Sequence, residues 1–331
     1  MSDPENLPAI SGVYAAIPTP FDAKKQVDTK ALTHIVEYLT SMSLDGLALF
    51  TECAEDAVLT PEERRSILKL VCSVADRRKK LVVSISSVAT QQALELAKAA
   101  EHKGAVALVV SLARIPGIGY RELFRHLERI RKGGSAPIIL DARPGNVLES
   151  LSAEELNTLV GHSTLAGAFI PTFSSGSLEA WRKRFKSDAK PSFLTASSLG
   201  FARAHEQGAS GSLCAMAVIA PEQAVKISRA IAANDAATVS KLENQLRPVV
   251  EVLGPPSAER STDGIQRITQ RIAKRDLAGP RLSSIFPAAL IKEALRLQGH
   301  PVRSEVRSPF ESVRADASEK LRTVLTMGGL V

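Results

Sequence analysis

The chain has 331 residues, of which 44% are hydrophobic and 4% aromatic, and its 42 basic and 35 acidic side chains give a formal net charge of +7. This length can bury a large core, and α/β barrels of this size fold as one domain. The few aromatic residues, with no basic-aromatic pattern, speak against nucleic-acid binding, while the basic surplus suits small anionic ligands. Because no apolar run of 18 residues and no signal-peptide pattern occurs, we expect no membrane interaction and a cytoplasmic location.

The cysteines and histidines show no metal-binding pattern. Cys53, Cys72 and Cys214 are odd in number and far apart, which predicts neither a disulfide framework nor a ligand cluster. The histidines fall on predicted helices or helix ends, where we expect surface positions: they include His102, His126, His162 and His205. We therefore predict no metal and no cofactor.

From Val13 onward, short apolar runs alternate with longer amphipathic segments, which is typical of βα units around a parallel sheet. The predicted strands cover residues 13–18, 46–51, 81–86, 106–112, 137–141, 165–172, 192–196 and 211–215. Eight such units favour an α/β fold of the closed (β/α)8 TIM-barrel type. A doubly wound sheet is the alternative, but no glycine-rich nucleotide fingerprint supports it.

Several helices carry start signals that local chemistry explains. Asp28 can accept a hydrogen bond from a free backbone N–H of the first turn. Thr60 with Glu63, and Ser152 with Glu155, form capping boxes in which hydroxyl and carboxylate satisfy two free N–H groups. These signals predict helices after the first, second and fifth strands.

The last third of the chain predicts helices beside the barrel. They cover residues 221–246, 287–298 and 315–325. Between them, residues 257–281 are polar and basic, with isoleucines at helical spacing, which indicates a short amphipathic helix on a loop. We therefore divide the chain into a barrel at 12–225 and a C-terminal helical appendage at 226–331 that carries this basic insertion.

In barrels of this type, active sites lie at the C-terminal ends of the strands, where the βα loops can vary without disturbing the core. The candidate residues at these ends are Thr19, Thr51, Glu52, Cys53, Glu55, Arg114, Asp141, Arg143, Thr172, Ser197 and Cys214. Cys53 or Cys214 could supply a thiolate beside an arginine, although a small core residue is the commoner role for a cysteine.

Eight segments follow one another in an order shared with a known family. They are GVYAAIPTPFD, DGLALF, AVLTPEER, PIILDARPGN, LSAEEL, SSGSLE, GASGSLCAMAVIAPE and PAALIKEALRLQGHPVR. The chain thereby resembles the dihydrodipicolinate synthase and N-acetylneuraminate lyase family of pyruvate-dependent class I aldolases. The resemblance implies a barrel with a C-terminal helical bundle, a small oxo acid or carboxylate as ligand, and a homo-oligomer, either dimer or tetramer.

The family's ligand-binding positions match less well than its fold. Its Gly-Thr-Thr-Gly-Glu turn, which holds the pyruvate carboxylate, reads TECAE here, and Glu52 would repel an anion. The family's relay tyrosine falls where Ala113 and Arg114 stand. A tyrosine-asparagine pair is replaced by Asp141 and Ala142.

The position of the family's Schiff-base lysine aligns with Thr172, and a hydroxyl cannot form the imine on which that chemistry depends. We expect no other lysine at a strand's C-terminal end. The lysines considered were Lys79 and Lys80 at the opposite barrel face, Lys183 and Lys186 in the helical run WRKRFK, and Lys292 on a terminal helix.

Two functional hypotheses remain, and whether the protein is an enzyme stays open. The first is a catalytically silent homologue that binds a small anionic oxo acid or serves as a scaffold. The second is an active lyase-family enzyme with a non-imine mechanism, in which Arg114 and Arg143 bind the anion and Asp141 or Glu52 is the acid or base. A non-catalytic alternative remains, in which Glu55 is structural and an ion-pair network fills an emptied pocket. That network would consist of Glu52, Arg114, Asp141 and Arg143.

Overall fold

Eight parallel strands close into a barrel in chain order, with β8 hydrogen-bonded to β1. The strands are β1 (Gly12–Ala16), β2 (Gly46–Leu49), β3 (Lys80–Ser84), β4 (Ala105–Val110), β5 (Ile138–Asp141), β6 (Leu165–Ile170), β7 (Ser192–Thr195) and β8 (Gly211–Cys214). The computed structural model describes residues 10–87, 89–111, 118–142, 150–161, 165–170, 175–185, 191–196, 201–253 and 288–331. The predicted TIM barrel is confirmed.

Helices alternate with the strands and continue after β8. They are α1 (Thr29–Ser41), α2 (Pro61–Ala75), α3 (Thr90–His102), α4 (Tyr120–Lys132), α5 (Ala153–Gly161), α6 (Ser175–Arg182), α7 (Phe201–Glu206), α8 (Met216–Ile219), α9 (Pro221–Ala232), α10 (Ala236–Leu253), α11 (Ala288–Leu297) and α12 (Ala315–Met327). Within the described part of the chain, no helix is long and apolar enough to cross a membrane.

The predicted helix starts are confirmed atom by atom. The Asp28 carboxylate accepts from the Ala31 backbone N–H at 3.0 Å. The capping box of Thr60 and Glu63 is formed in both directions, at 3.2 and 3.0 Å. Ser152 and Glu155 repeat it at 3.1 and 2.7 Å. Short-range hydrogen bonds of this kind depend only on residues three apart, so they can be read from sequence.

Most predicted strand boundaries differ from the structure by one or two residues, and two of the differences between prediction and structure have a visible backbone cause. β2 ends at Leu49 rather than at residue 51, because Phe50 adopts a left-handed conformation (φ 58°) that leaves the extended strand. The helix predicted over 221–246 is two helices, α9 and α10, separated by a turn in which Asn234 also has a positive φ of 56°. The predicted basic insertion at 257–281 lies outside the described residues.

His126 corrects the expectation that the histidines lie at the surface. It is 4% exposed, on the face of α4 that also buries Leu123 and Ile130. Its Nδ1 lies 3.0 Å from the Thr90 hydroxyl, and burial lowers its pKa. His102 and His205 are exposed as expected, whereas His162 lies outside the described residues. The spacing of 123, 126 and 130 already places His126 on the apolar stripe.

One apolar core joins the barrel layer to the C-terminal helices. Ile291 and Leu295 of α11 and Leu321 of α12 belong to the same buried cluster as the outer faces of the strands. The Gln298 amide bridges the carbonyls of Ile219 and Leu330 at 2.9 and 3.2 Å. α11 is thereby held against the end of the barrel where the strands terminate.

Candidate functional site

The C-terminal ends of β1, β2 and β5 carry buried polar side chains. Thr19 follows β1, Glu55 follows β2, and Asp141 ends β5, and they are 2%, 1% and 2% exposed. Parallel strands in a closed barrel bring these ends to one face. Of the other sequence-predicted residues, Arg114, Arg143, Thr172, Ser197 and the side chain of Glu52 lie outside what the structure describes.

Glu55 forms a fully buried ion pair with Lys292 of α11. The ammonium Nζ lies 2.5 Å from Glu55 Oε1, and both side chains have no solvent exposure. Nζ also donates to the Thr19 carbonyl at 3.1 Å and to the Glu305 carbonyl. Burial lowers the pKa of Lys292, and the Glu55 carboxylate opposes that shift. Three acceptors around one ammonium satisfy all its protons.

Arg307 supports the same carboxylate from the chain beyond α11. Its backbone N–H donates to Glu55 Oε2 at 3.1 Å, so each oxygen of the carboxylate has its own partner. Its guanidinium makes a bidentate pair with Glu63 at 2.6 and 2.7 Å. The Phe21 ring lies 4.7 Å from Lys292 Nζ and 4.5 Å from the Arg307 guanidinium. The C-terminal region therefore anchors the turn after β2.

The expectation that Lys292 lies away from the strand ends is wrong. The lysine belongs to a terminal helix, as predicted, but α11 crosses the C-terminal end of the barrel and directs Nζ against the chain after β1 and β2. A signal was present in the sequence: Lys292 lies four residues after Ala288 and three before Leu295, on the face that α11 buries. A lysine in an apolar stripe implies a buried partner.

The turn after β2 begins and ends on left-handed residues, Phe50 (φ 58°) and Glu55 (φ 55°). Between them, the Thr51 hydroxyl lies 3.2 Å from Cys53 Sγ. The Cys53 thiol donates to the Ala16 carbonyl, at the end of β1, at 3.0 Å. Thr51 and Cys53 are thus tied to each other and to the barrel rim.

Both cysteines among the candidates are buried. Burial raises the pKa of Cys53 to about 12, and proximity to Cys214 acts in the same direction. Cys214 is 0% exposed at the end of β8. The raised pKa of Cys53 favours its neutral thiol, and burial of both side chains favours a packing role over a nucleophilic one.

We expect native Cys53 to resist alkylation, because a thiol with a pKa of about 12 holds almost no thiolate near neutral pH. In folded protein treated with iodoacetamide, half-buried Cys72 should react first, as peptide mass spectrometry would show. The same reagent after denaturation provides the control, since all three thiols should then be modified. Modification of Cys53 ahead of Cys72 in the folded protein would contradict this assignment.

Asp141 occupies the rim between β5 and β6. It pairs in register with Phe169, and the following Ala142 N–H donates to the Phe169 carbonyl at 2.9 Å. Ile170 at the end of β6 pairs with Thr195 of β7. The buried carboxylate of Asp141 thus stands beside the strand whose continuation leads to residue 172. Across the described ranges, no three histidine, cysteine or acidic side chains are grouped to hold a metal ion.

Together, these features define a (β/α)8-barrel protein with a polar rim at the C-terminal ends of its strands. The chain belongs to the dihydrodipicolinate synthetase family, whose model matches residues 9–259. The resemblance inferred from sequence motifs is confirmed.

Relatives of this family match most of the chain. The chain is 27% identical over 246 residues to 4-hydroxy-tetrahydrodipicolinate synthase of Bartonella quintana, covering 72% of this chain and 81% of the relative. The Rhizobium meliloti enzyme of the same name is 26% identical over 294 residues, or 87% and 98% of the two chains.

Two solved structures share the fold across nearly the whole chain. YagE, a prophage protein of the dihydrodipicolinic acid synthase family from E. coli K12, was solved in complex with pyruvate. It superposes with a TM-score of 0.79 at 21% identity, covering 97% of this chain and 99% of YagE. N-acetylneuraminate lyase from Mycoplasma synoviae gives 0.75 at 19% identity, covering 96% and 97%.

Proposed function

We propose that this protein is an aldolase-like barrel that binds a small oxo acid or carboxylate at the C-terminal strand ends without forming an imine. The observation that carries the proposal is the state of Lys292. Its ammonium is enclosed at this face and bonded to Glu55 and two carbonyls. With Thr172 at the position that we assign to the family's lysine, we propose that the site has no reactive amine.

Imine formation requires a neutral and accessible amine. Nζ of Lys292 is inaccessible, because its side chain has no exposure and it is enclosed by the Glu55 carboxylate and two carbonyls. Deprotonation would also leave the Glu55 carboxylate buried beside a neutral partner, which is strongly unfavourable. The ion pair therefore serves the architecture of the turn rather than the chemistry of the site.

The ligand class follows from charge and from the relatives. YagE was solved with pyruvate, a small oxo acid. We propose Arg114 and Arg143 as the groups that bind its carboxylate, with Thr51 and Ser197 as hydrogen-bonding neighbours. Arginine suits this task since its planar guanidinium can hold both carboxylate oxygens. We further propose a dimer or tetramer located in the cytoplasm.

A second candidate function keeps catalysis with a different mechanism. The observation in its favour is Asp141, a carboxylate that is 2% exposed at the end of β5, where a general acid or base would stand. In this version, Asp141 exchanges a proton with a bound oxo acid and the arginines hold the anion. Consumption of the ligand separates this function from silent binding.

Thermal unfolding with and without pyruvate or 2-oxobutyrate tests the binding site. A ligand at a hundred times its Kd should stabilise the protein by about 2.7 kcal/mol. We expect that gain to vanish in Arg143→Ala and to persist in Arg247→Ala, which removes an exposed arginine on α10. Proton NMR of the same mixtures would detect turnover, which should stop in Asp141→Asn if the second candidate holds.

Failure of every small oxo acid to stabilise the folded wild-type protein would overturn the binding proposal. Equal stabilisation of wild type and Arg143→Ala would instead remove the arginine from the site. Chloride at matched ionic strength controls for unspecific screening of the basic surface.

A further inference from the structure

Two imidazoles meet where α1 faces the C-terminal region. His34 Nε2 of α1 lies 3.0 Å from Nδ1 of His300, which follows α11. Their rings are arranged edge to face with centroids 5.2 Å apart, and both residues are half-buried. The Tyr38 ring, also on α1, lies 4.5 Å from the His300 ring. This pair takes no part in the proposed oxo acid site.

We propose that His34 and His300 form a pH-sensitive clasp between the barrel and its C-terminal helices. The two nitrogens can share a hydrogen bond only if one donates and the other accepts. With one imidazolium, the bond persists, since the charged ring donates to the neutral one. When both rings are imidazolium ions, an N–H of one faces an N–H of the other and the two positive charges repel, so the clasp opens.

The surroundings do not neutralise a second imidazolium. Tyr38 stays uncharged, because burial and the nearby Glu222 raise its pKa. On α1 itself, Glu37 lies three residues after His34 and is exposed, so solvent screens its charge. Two charged pairs lie on the adjoining helices. On α9, Glu222 pairs with Lys226 at 3.3 Å, and on α11, Arg296 pairs with Glu293 at 2.7 Å.

The direction of the pH effect follows from proton linkage. Burial and the neighbouring His34 lower the pKa of His300 in the folded protein. The unfolded chain therefore binds its proton at a higher pH than the folded chain does. The contribution of the clasp is complete above the unfolded value of about 6.5 and declines as the pH falls through it.

The effect should be local. The Lys292–Glu55 pair also joins the C-terminal region to the barrel, but on the side of the chain after β1 and β2. Acid should therefore loosen the side of α1 and the end of α11 first, while the buried ion pair keeps the C-terminal helices attached. The expected result is a partial opening rather than unfolding.

Hydrogen exchange of the full chain at pH 7.5 and 5.0, corrected for intrinsic exchange rates, tests the clasp. We expect the protection of α1 and α11 in wild type to fall at pH 5.0 relative to that of α10, because the lowered pKa of His300 disfavours the doubly protonated pair in the folded state. In His300→Gln and in His34→Gln, that relative loss should disappear, since no second imidazolium can form. His126→Gln is the matched control: it removes another buried histidine with a lowered pKa, between α3 and α4, and should retain the wild-type response.

Two results would overturn the clasp. One is a wild-type protein whose α1 and α11 protection does not change between the two pH values. The other is a loss that persists in both His34→Gln and His300→Gln, which would assign the response to other groups. Because the two variants alter different elements, the test stands if one of them folds poorly.

Discussion

Lys292→Met should lower the free energy of unfolding by about 3 to 5 kcal/mol, because it leaves the Glu55 carboxylate buried without its cation. The pair is 2.5 Å apart with no solvent exposure, so water cannot replace the lost partner. The carbonyls of Thr19 and Glu305 would also lose their donor. Urea unfolding monitored by circular dichroism measures the change.

Two further variants separate charge from packing in this prediction. The double variant Lys292→Met/Glu55→Gln should recover a large part of the loss, since it removes both charges while the glutamine can still accept from the Arg307 N–H. Lys226→Met, which breaks an exposed i,i+4 pair with Glu222, should change stability by about 0.5 kcal/mol or less. A Lys292→Met protein as stable as wild type would contradict the role assigned to the buried pair.

Thr172→Lys should give the protein covalent pyruvate capture that the wild type lacks. We propose that this position corresponds to the family's nucleophilic amine, which attacks the ketone, expels water and leaves a C=N bond. Borohydride adds hydride to the imine carbon and fixes the adduct as a stable secondary amine. Intact mass spectrometry should therefore show one added reduced pyruvyl group in the variant.

The control for this experiment is Thr158→Lys, which places a new lysine on the exposed face of α5. That lysine is solvated and charged, so no adduct is expected. A folded Thr172→Lys protein that remains unmodified would show that residue 172 does not stand where the family's lysine acts. The proposed correspondence between Thr172 and the family's lysine would then fail.

The barrel could be predicted because its signals are local. Short continuous apolar runs and capping boxes such as Thr60 with Glu63 depend on neighbouring residues, and all eight strands lie where the sequence indicated. The boundary error at Phe50 has the opposite cause. Its left-handed backbone is held by the turn as a whole, since a non-glycine side chain does not favour that conformation by itself.

Only part of the candidate site could be predicted from the sequence. Strand order brings Thr19, Glu55 and Asp141 to one face, and that much follows from the barrel pattern. The groups that pair with Glu55 do not follow from the barrel pattern, because Lys292 and Arg307 lie 237 and 252 residues further along the chain. Contacts at that separation depend on how α11 docks, so the periodicity marks Lys292 as buried without naming its partner.

We propose above all that this barrel binds oxo acids without forming a Schiff base. Borohydride reduction of the wild-type protein with pyruvate, followed by intact mass spectrometry, tests it most directly. We predict an unmodified mass under conditions in which thermal unfolding shows that pyruvate is bound. A mass increase of one reduced pyruvyl group, located by peptide mapping to any lysine of the C-terminal barrel face, would contradict the claim.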